Sequence, residues 1–131
     1  MGKCSEPLFT SQIEYHAYIR QGKIIAACRK HGLLVICHVP LARRKVLSDR
    51  VIQEVATGHD KTAAPVALEW LIQQHDIGVA PRALEVSEIE ENIDLFDFEL
   101  SEAEQVRISA LHDKNLRIVD PSVRRLVWDE V

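Results

Sequence analysis

The feature that most constrains the fold is a continuous apolar run, Leu33-Leu34-Val35-Ile36-Cys37. Such a run predicts a parallel strand that is covered on both faces, by helices outside and by a core inside. A helix is predicted immediately before it, from about Gln21 to His31, because apolar residues recur there at helical spacing and Gly32 supplies a stop signal. A predicted helix is therefore followed directly by a predicted strand in this part of the chain.

The same alternation continues on both sides of this unit. Two more strands are predicted, at Leu8–Glu14 and Ile77–Ala80. Between and after them lie a basic loop at Ala42–Lys45 and four further helices, predicted from the cap Asp49 to about Thr57, from the cap Thr62 to about His75, from Ser87 to about Leu95, and from the capping box Ser101/Glu104 to about His112. Strands that alternate with helices are typical of βαβ units on a parallel sheet.

This pattern predicts an α/β fold in one domain that spans residues 1–131. In open parallel sheets, ligands bind beyond the carboxyl ends of the strands. The segments in which to look for a site are therefore Gln12–His16, His38–Arg43 and Pro81–Asn92.

Composition narrows the classes of function. The sequence is 47% hydrophobic and 27% charged, and its 16 Lys and Arg against 20 Asp and Glu give a net charge of −4. This balance argues against nucleic acid or an anionic membrane as a partner, and the apolar runs are far shorter than the ~20 residues of a transmembrane helix. No signal peptide is predicted at the start, so we expect a cytoplasmic protein.

The cysteines give little support for a metal site. Cys4, Cys28 and Cys37 are odd in number and form no Cys-x-x-Cys pair. Cys28 with His31, or Cys37 with His38, could contribute ligands, but structural zinc sites usually show two close ligand pairs. Free thiols in a reducing compartment are the alternative, and we expect no metal.

One segment, GVAPRALEVSEIEENID from Gly78 to Asp94, both suggests a site and argues against it. A short apolar run ends at Pro81, presents Arg82 and leads into a helix, which is a geometry suited to an anionic ligand. Four glutamates then crowd the place where an anion would lie, namely Glu85, Glu88, Glu90 and Glu91.

Five stretches together resemble the carboxyl-terminal half of the aldo-keto reductase family, in particular its bacterial 2,5-diketogluconate-reductase-like members. They are SQIEYHAYI, KHGLLVICHVPLARRKVL, TAAPVALEWLIQQ, APRALEVSEIEENIDLFDFELSEAE and LRIVDP, in order and nearly without gaps from about Leu8 to Pro121. The resemblance implies a partial (β/α)8 TIM barrel with about three parallel strands, the sixth to the eighth.

The resemblance also implies an activity, which is the transfer of hydride from a nicotinamide cofactor to an aldehyde or ketone. The family's catalytic Asp, Tyr, Lys and His come from the first half of the barrel, and none has a counterpart here. Tyr15 and His16 belong by position to the segment after the sixth strand, so we interpret them as strand-end contacts. We therefore expect no catalytic residue in this chain.

At the nicotinamide end of the cofactor, the resemblance implies three contacts. Gln12 matches the residue that binds the carboxamide, although an inward-pointing barrel amide is the alternative interpretation. His38 stands in place of a Tyr that stacks on the nicotinamide ring, and Leu41 keeps the PL pair that lies along the pyrophosphate. Val39 replaces a small hydroxyl residue and so removes a hydrogen bond to the cofactor.

At the adenosine end, Arg82 stands for a Lys at the adenosine phosphate, and Glu91 and Asn92 match the pair that reads the adenine edge. Ala83 replaces a Ser or Thr, and Glu88 stands where the family often has an Arg that clamps the 2′-phosphate. A carboxylate there favours a free ribose diol, so NADH becomes more plausible than the usual NADPH. Alternatively, the glutamates only stabilise the first helical turn, by ~0.3–1 kcal/mol each.

Two hypotheses follow. In the first, the chain is a fragment or remnant of an NAD(P)H-dependent aldo-keto reductase, inactive by itself and acting on a small carbonyl substrate only if the missing half is supplied. In the second, it is a non-catalytic half-barrel that binds nucleotide or serves a structural role. In that case the open edges of its sheet would pair in a homo-oligomer.

Overall fold

The computed structural model describes residues 6–119. Three strands alternate with helices along the chain. They are β1 (Thr10–Glu14), α1 (Gly22–Lys30), β2 (Leu34–His38), a 3₁₀ segment (Ala42–Ser48), α2 (Arg50–Gly58), α3 (Ala63–Ile72), β3 (Ile77–Ala80), α4 (Val86–Ile93), α5 (Glu102–Ser109) and a second 3₁₀ segment (Ala110–Lys114).

The strands form one parallel sheet in the order β1-β2-β3. Thr10 is paired with Leu34 at the start of β1, and Val35 is paired with Ile77 at the start of β3. Both crossovers are helical, which a parallel pairing requires because the chain must return to the same end of the sheet. The predicted α/β fold with about three parallel strands is therefore confirmed.

The two faces of the sheet are very different. Val35 and Cys37 are fully buried on the face that packs against the helices. The opposite face carries Gln12, Ile36 and Gly78 in one row across the three strands. On that face Leu34 is 40% exposed and Gln12 is also exposed. We call it the open face, and the prediction that β2 is covered on both faces is wrong for this part of the chain.

Two of the three capping residues predicted from the sequence cap their helices in the structure, and the third does not. Asp49 caps α2 as predicted, because its Oδ1 accepts a hydrogen bond from the Val51 amide at 2.9 Å. Ser101 and Glu104 form the predicted capping box at the start of α5. Thr62 has the extended backbone of a cap, but its side chain makes no capping bond and instead donates to Glu91 Oε1 at 2.5 Å. The Thr62 hydroxyl therefore makes a tertiary hydrogen bond instead of a local capping bond.

Neither cysteine in the described region shows a site. Cys28 and Cys37 are free and buried, and burial raises the pKa of the Cys37 thiol to about 12. Cys4 lies outside the described residues. Within residues 6–119 no group of three or more His, Cys, Asp or Glu side chains could hold a metal ion. Over the same residues, no helix is long and apolar enough to cross a membrane.

Candidate functional site

A cavity of about 680 Å³ lies at the carboxyl ends of β2 and β3. One wall is the segment after β2, from Val39 to Leu47, and the opposite wall is the segment after β3 together with α4. The cavity therefore lies where a parallel sheet places its ligands.

The structure brings four of the six predicted cofactor residues together and leaves two outside. Leu41, Arg82, Glu91 and Asn92 all line the cavity. The remaining two belong to the sheet. His38 ends β2 directly before the cavity-lining Val39 and is paired with Ala80 of β3, which is also in the lining. Gln12 lies on the open face, one row closer to the amino ends of the strands.

The wall after β2 has an unusual backbone. Val39, Ala42, Arg43 and Arg44 have φ angles of 55°, 48°, 50° and 71°, in the left-handed region, and none of them is a glycine. Each such residue costs on the order of 1 kcal/mol or more, and these conformations cluster at functional sites. The basic loop predicted at Ala42–Lys45 is instead the start of a 3₁₀ segment interrupted at Arg43 and Arg44. The segment contains no glycine, and its one turn residue, Pro40, does not indicate this shape.

The two walls are joined by an ion pair. Arg44 Nη1, from the wall after β2, donates to Glu88 Oε1 in the first turn of α4. The other carboxylate oxygen of Glu88 accepts from the Leu84 amide at 2.8 Å. The Leu84 amide and the neighbouring Arg44 guanidinium hold the pKa of the Glu88 carboxyl below its usual range. Glu88 is therefore an ionised group that is already compensated.

The other charges at the cavity are distributed unevenly. Glu91 accepts a hydrogen bond from the Thr62 hydroxyl. Glu85 and Glu90 are exposed and do not belong to the cavity lining. Arg43 and Arg82 both line the cavity, and neither has a hydrogen-bonded or ion-paired partner within residues 6–119. The two glutamates in the cavity lining, Glu88 and Glu91, thus already accept hydrogen bonds from other side chains, and the other two lie outside it. Two guanidinium groups, in contrast, line the cavity without a partner among the described residues. An anionic ligand fits this balance.

Tyr15 and His16 follow β1, and both make contacts within the fold. Burial, partly opposed by a hydrogen bond to Gln74, raises the pKa of the Tyr15 hydroxyl to about 12. That direction is opposite to the one a general acid needs near neutral pH. His16 is fully buried and its Nε2 lies 3.0 Å from Glu14 Oε1. The Glu14 carboxylate also accepts the Ile118 and Val119 amides, so this cluster anchors the segment after α5.

Sequence reasoning missed three residues of the site. Arg43 and Arg44 were predicted only as part of a basic loop, of which Arg43 also ended the segment His38–Arg43 near the predicted site, and Thr62 was assigned only to a helix cap. The basic pair in a segment that follows a strand was the available signal for the arginines. Nothing local could have assigned Thr62, because its partner Glu91 lies 29 positions later in the chain.

Comparisons with known proteins identify the family of the chain. The Aldo/keto reductase family model matches residues 5–113. The methylglyoxal reductase DkgB of Escherichia coli O157:H7 is 31% identical over 125 residues, which cover 95% of this chain and 46% of that protein. The glyoxal reductase of Bacillus subtilis (strain 168) is 32% identical over 102 residues, which cover 78% of this chain and 37% of that protein.

Solved structures extend the similarity to the fold. A crystal structure of a proposed 2,5-diketo-D-gluconic acid reductase B superposes with a TM-score of 0.91 at 36% identity, over 96% of this chain and 45% of that one. A point mutant of Gox0644 in complex with NADPH superposes with a TM-score of 0.82 at 27% identity, over 92% and 44% of the two chains. The chain spans less than half the length of each of these four relatives. The family model and the shared fold show that the chain belongs to the aldo-keto reductase family.

Proposed function

We propose that the cavity binds a nicotinamide dinucleotide, NADH or NADPH, and that this chain is the cofactor-binding part of an aldo-keto reductase. The observation that carries the proposal is the cavity itself, which Arg43 and Arg82 both line, from segments that follow adjacent parallel strands and with no partner for either among residues 6–119. Guanidinium forks in such a position suit the pyrophosphate and adenosine phosphates of a dinucleotide.

The remaining residues fit such a ligand. A volume of about 680 Å³ is in the range of small-molecule sites. Glu91 and the buried Asn92 offer a carboxylate and an amide at the α4 end, which suits the edge of an adenine. At the other end His38 and Gln12 lie on neighbouring strands of the open face, where a nicotinamide ring could lie. Val39 contributes no side-chain hydrogen bond there.

Reduction needs more than this chain supplies. A bound reduced nicotinamide would provide the hydride for a small aldehyde or ketone, but the carbonyl oxygen must also receive a proton from an acid. Tyr15, with its raised pKa and buried hydroxyl, cannot serve as that acid. We propose that the catalytic Asp, Tyr, Lys and His come from a complementary part of the barrel. The chain by itself then binds the cofactor without reducing carbonyl compounds.

Titration of the purified chain with NADH and NADPH, followed by nucleotide fluorescence, tests the proposal. We expect saturable binding that Arg82→Ala weakens about tenfold or more, because a charge-assisted hydrogen bond contributes roughly 1.5–3 kcal/mol. Arg50→Ala is the matched control, since Arg50 is an exposed guanidinium on α2 outside the cavity, and it should bind like the parent. No response to either nucleotide at millimolar concentration would overturn the proposal.

Self-association is a second candidate property, and the open face favours it. β1 and β3 are both sheet edges, and Leu8, Phe9 and Leu34 are 52%, 76% and 40% exposed. We expect sedimentation velocity to show a dimer or larger oligomer that Leu34→Lys shifts toward monomer. Phe96→Lys, at a site 82% exposed outside the sheet, should leave the assembly unchanged. A parent chain that stays monomeric while its apolar surface binds a hydrophobic dye would contradict this candidate.

A further inference from the structure

The Arg44–Glu88 ion pair crosses the cavity and joins its two walls. Its partners lie 44 positions apart in the chain, and both side chains belong to the cavity lining. Arg44 has a left-handed backbone, with φ 71° and ψ 0°, and its side chain is 64% exposed. Glu88 is held by its second bond, from the Leu84 amide. Glu88 is therefore positioned by a contact that does not involve Arg44, and the exposed Arg44 side chain is placed by its bond to that carboxylate.

The two partners have opposite preferences for a nucleotide. In dinucleotide sites an acidic side chain accepts hydrogen bonds from a free ribose diol, whereas a nearby arginine accommodates a 2′-phosphate. Glu88 offers the first chemistry and Arg44 offers the second, and here they are bonded to each other. A 2′-phosphate could reach the Arg44 guanidinium only by displacing the carboxylate. A diol could use the same carboxylate while the pair stays intact, since each carboxylate oxygen accepts more than one hydrogen bond.

We propose that the Arg44–Glu88 pair determines which nucleotide the cavity accepts, with Glu88 as the acceptor for a free ribose diol and Arg44 as a phosphate ligand that Glu88 holds back. The inference rests on the proposed nucleotide function and goes beyond it. Glu88 then does more than repel a 2′-phosphate. Its carboxylate and the phosphate compete for the one guanidinium of Arg44. Removing the carboxylate then has two effects, because it removes a negative charge and also releases Arg44.

The direction of each effect follows from this competition. Glu88→Gln keeps the size of the side chain, weakens the bond to Arg44 and leaves the guanidinium available for a phosphate. In an Arg44→Ala background, the same change removes negative charge but releases nothing. The gain in affinity for a 2′-phosphate on Glu88→Gln must therefore be larger when Arg44 is present. Additive effects would be expected if the two residues acted independently.

A double-mutant cycle tests the inference, with 5′-ADP and 2′,5′-ADP as probes and titration calorimetry as the readout. We expect the parent chain to prefer 5′-ADP. Glu88→Gln should raise the affinity for 2′,5′-ADP about tenfold or more and lower that for 5′-ADP severalfold. Glu88→Gln combined with Arg44→Ala should lose most of that gain. Circular dichroism checks that all four proteins are folded, which their exposed positions favour.

One control variant and two contrary outcomes complete the experiment, and the two outcomes separate a failure of this inference from a failure of nucleotide binding. Glu90→Gln removes an exposed carboxylate of the same helix outside the cavity and should change neither affinity. If 5′-ADP binds but Glu88→Gln leaves the preference unchanged, or raises the affinity for 2′,5′-ADP equally with and without Arg44, the pair is not the selector and this inference alone fails. If no variant binds either probe, the proposed nucleotide function fails and this inference fails with it.

Discussion

Trp70→Ala is expected to lower the free energy of unfolding by about 3–5 kcal/mol, the usual cost of removing a large aromatic side chain from a core. Trp70 lies in α3 and is only 1% exposed. Its ring is 5.6 Å from that of Tyr15 and 5.5 Å from that of His112, measured between centroids. The indole Nε1 also donates to Ser109 Oγ at 3.2 Å. One substitution therefore removes contacts between α3, the segment after β1 and the chain around the end of α5.

Urea unfolding followed by circular dichroism measures this change. Trp70→Phe should cost clearly less than Trp70→Ala, because it retains a ring and loses the hydrogen bond to Ser109. Phe96→Ala, at a side chain 82% exposed, should change the free energy of unfolding by less than about 0.5 kcal/mol. A loss below about 1 kcal/mol for Trp70→Ala would show that this aromatic cluster does not hold the helices together.

Stability is expected to fall as the pH decreases from about 6.5 to about 4, and His112 is the expected cause. Burial, together with the nearby Arg20 guanidinium, lowers the pKa of His112 to about 4. The unfolded chain binds a proton near the ordinary value of 6.5, whereas the folded chain resists it. The contribution of neutral His112 to the free energy of unfolding is therefore complete above pH 6.5 and is lost progressively as the pH falls to 4. A shift of this size corresponds to about 3 kcal/mol.

The pH range in which His112 lowers the stability begins above the range in which the buried carboxylates do so, and the two overlap only near its acid end. The pKa of Glu14 is lowered despite burial, through its bonds to His16, Ile118 and Val119. The pKa of Asp49 is also lowered despite burial, through its bonds to Lys114, Tyr18 and Val51. Groups with depressed acidic pKa values stabilise the fold above the unfolded values of 4.5 and 3.8 and lose that effect at lower pH. The decrease between pH 6.5 and about 5.5, above the range in which the unfolded carboxylates bind protons, is thus assigned to the histidine.

His112→Phe tests this assignment, because phenylalanine keeps a ring against Trp70 and Tyr15 and cannot be protonated. Free energies of unfolding measured from pH 7.5 to 4.5 should have a flatter slope for His112→Phe than for the parent. His75→Gln is the control, since the His75 side chain is 86% exposed, and its slope should match that of the parent. An unchanged slope for His112→Phe would show that another group causes the acid sensitivity.

Much of the fold could be predicted because its signals are local. The apolar run at β2 and the spacing of apolar residues in α1 and α2 depend on neighbours a few positions away. The caps at Asp49 and Ser101 are also local, and both are confirmed. Element ends moved by one to three residues, as in β1, which begins at Thr10 rather than Leu8. The burial of only one face of β2 was not predicted, because periodicity does not show what covers a strand.

In the candidate site, too, some features could be predicted from local signals and others could not. Position after a parallel strand, together with the family resemblance, indicated Leu41, Arg82, Glu91 and Asn92, and these four residues line one cavity in the structure. The pairing partners of the charges could not be predicted. Thr62 reaches Glu91 across 29 positions and Arg44 reaches Glu88 across 44. Contacts at such separations depend on how α3, α4 and the segment after β2 pack.

Local patterns in the sequence are enough to predict the order of strands and helices, the edge of the sheet where we expect a ligand, and the place of residues 78–94 at that edge. The electrostatics of the site depend on the tertiary structure, because a side chain's effective charge depends on its partners in space. The glutamates of that segment suggested that an anion would be repelled. In the folded chain Glu88 is neutralised by Arg44 and the Leu84 amide, and Arg43 and Arg82 are left facing the cavity.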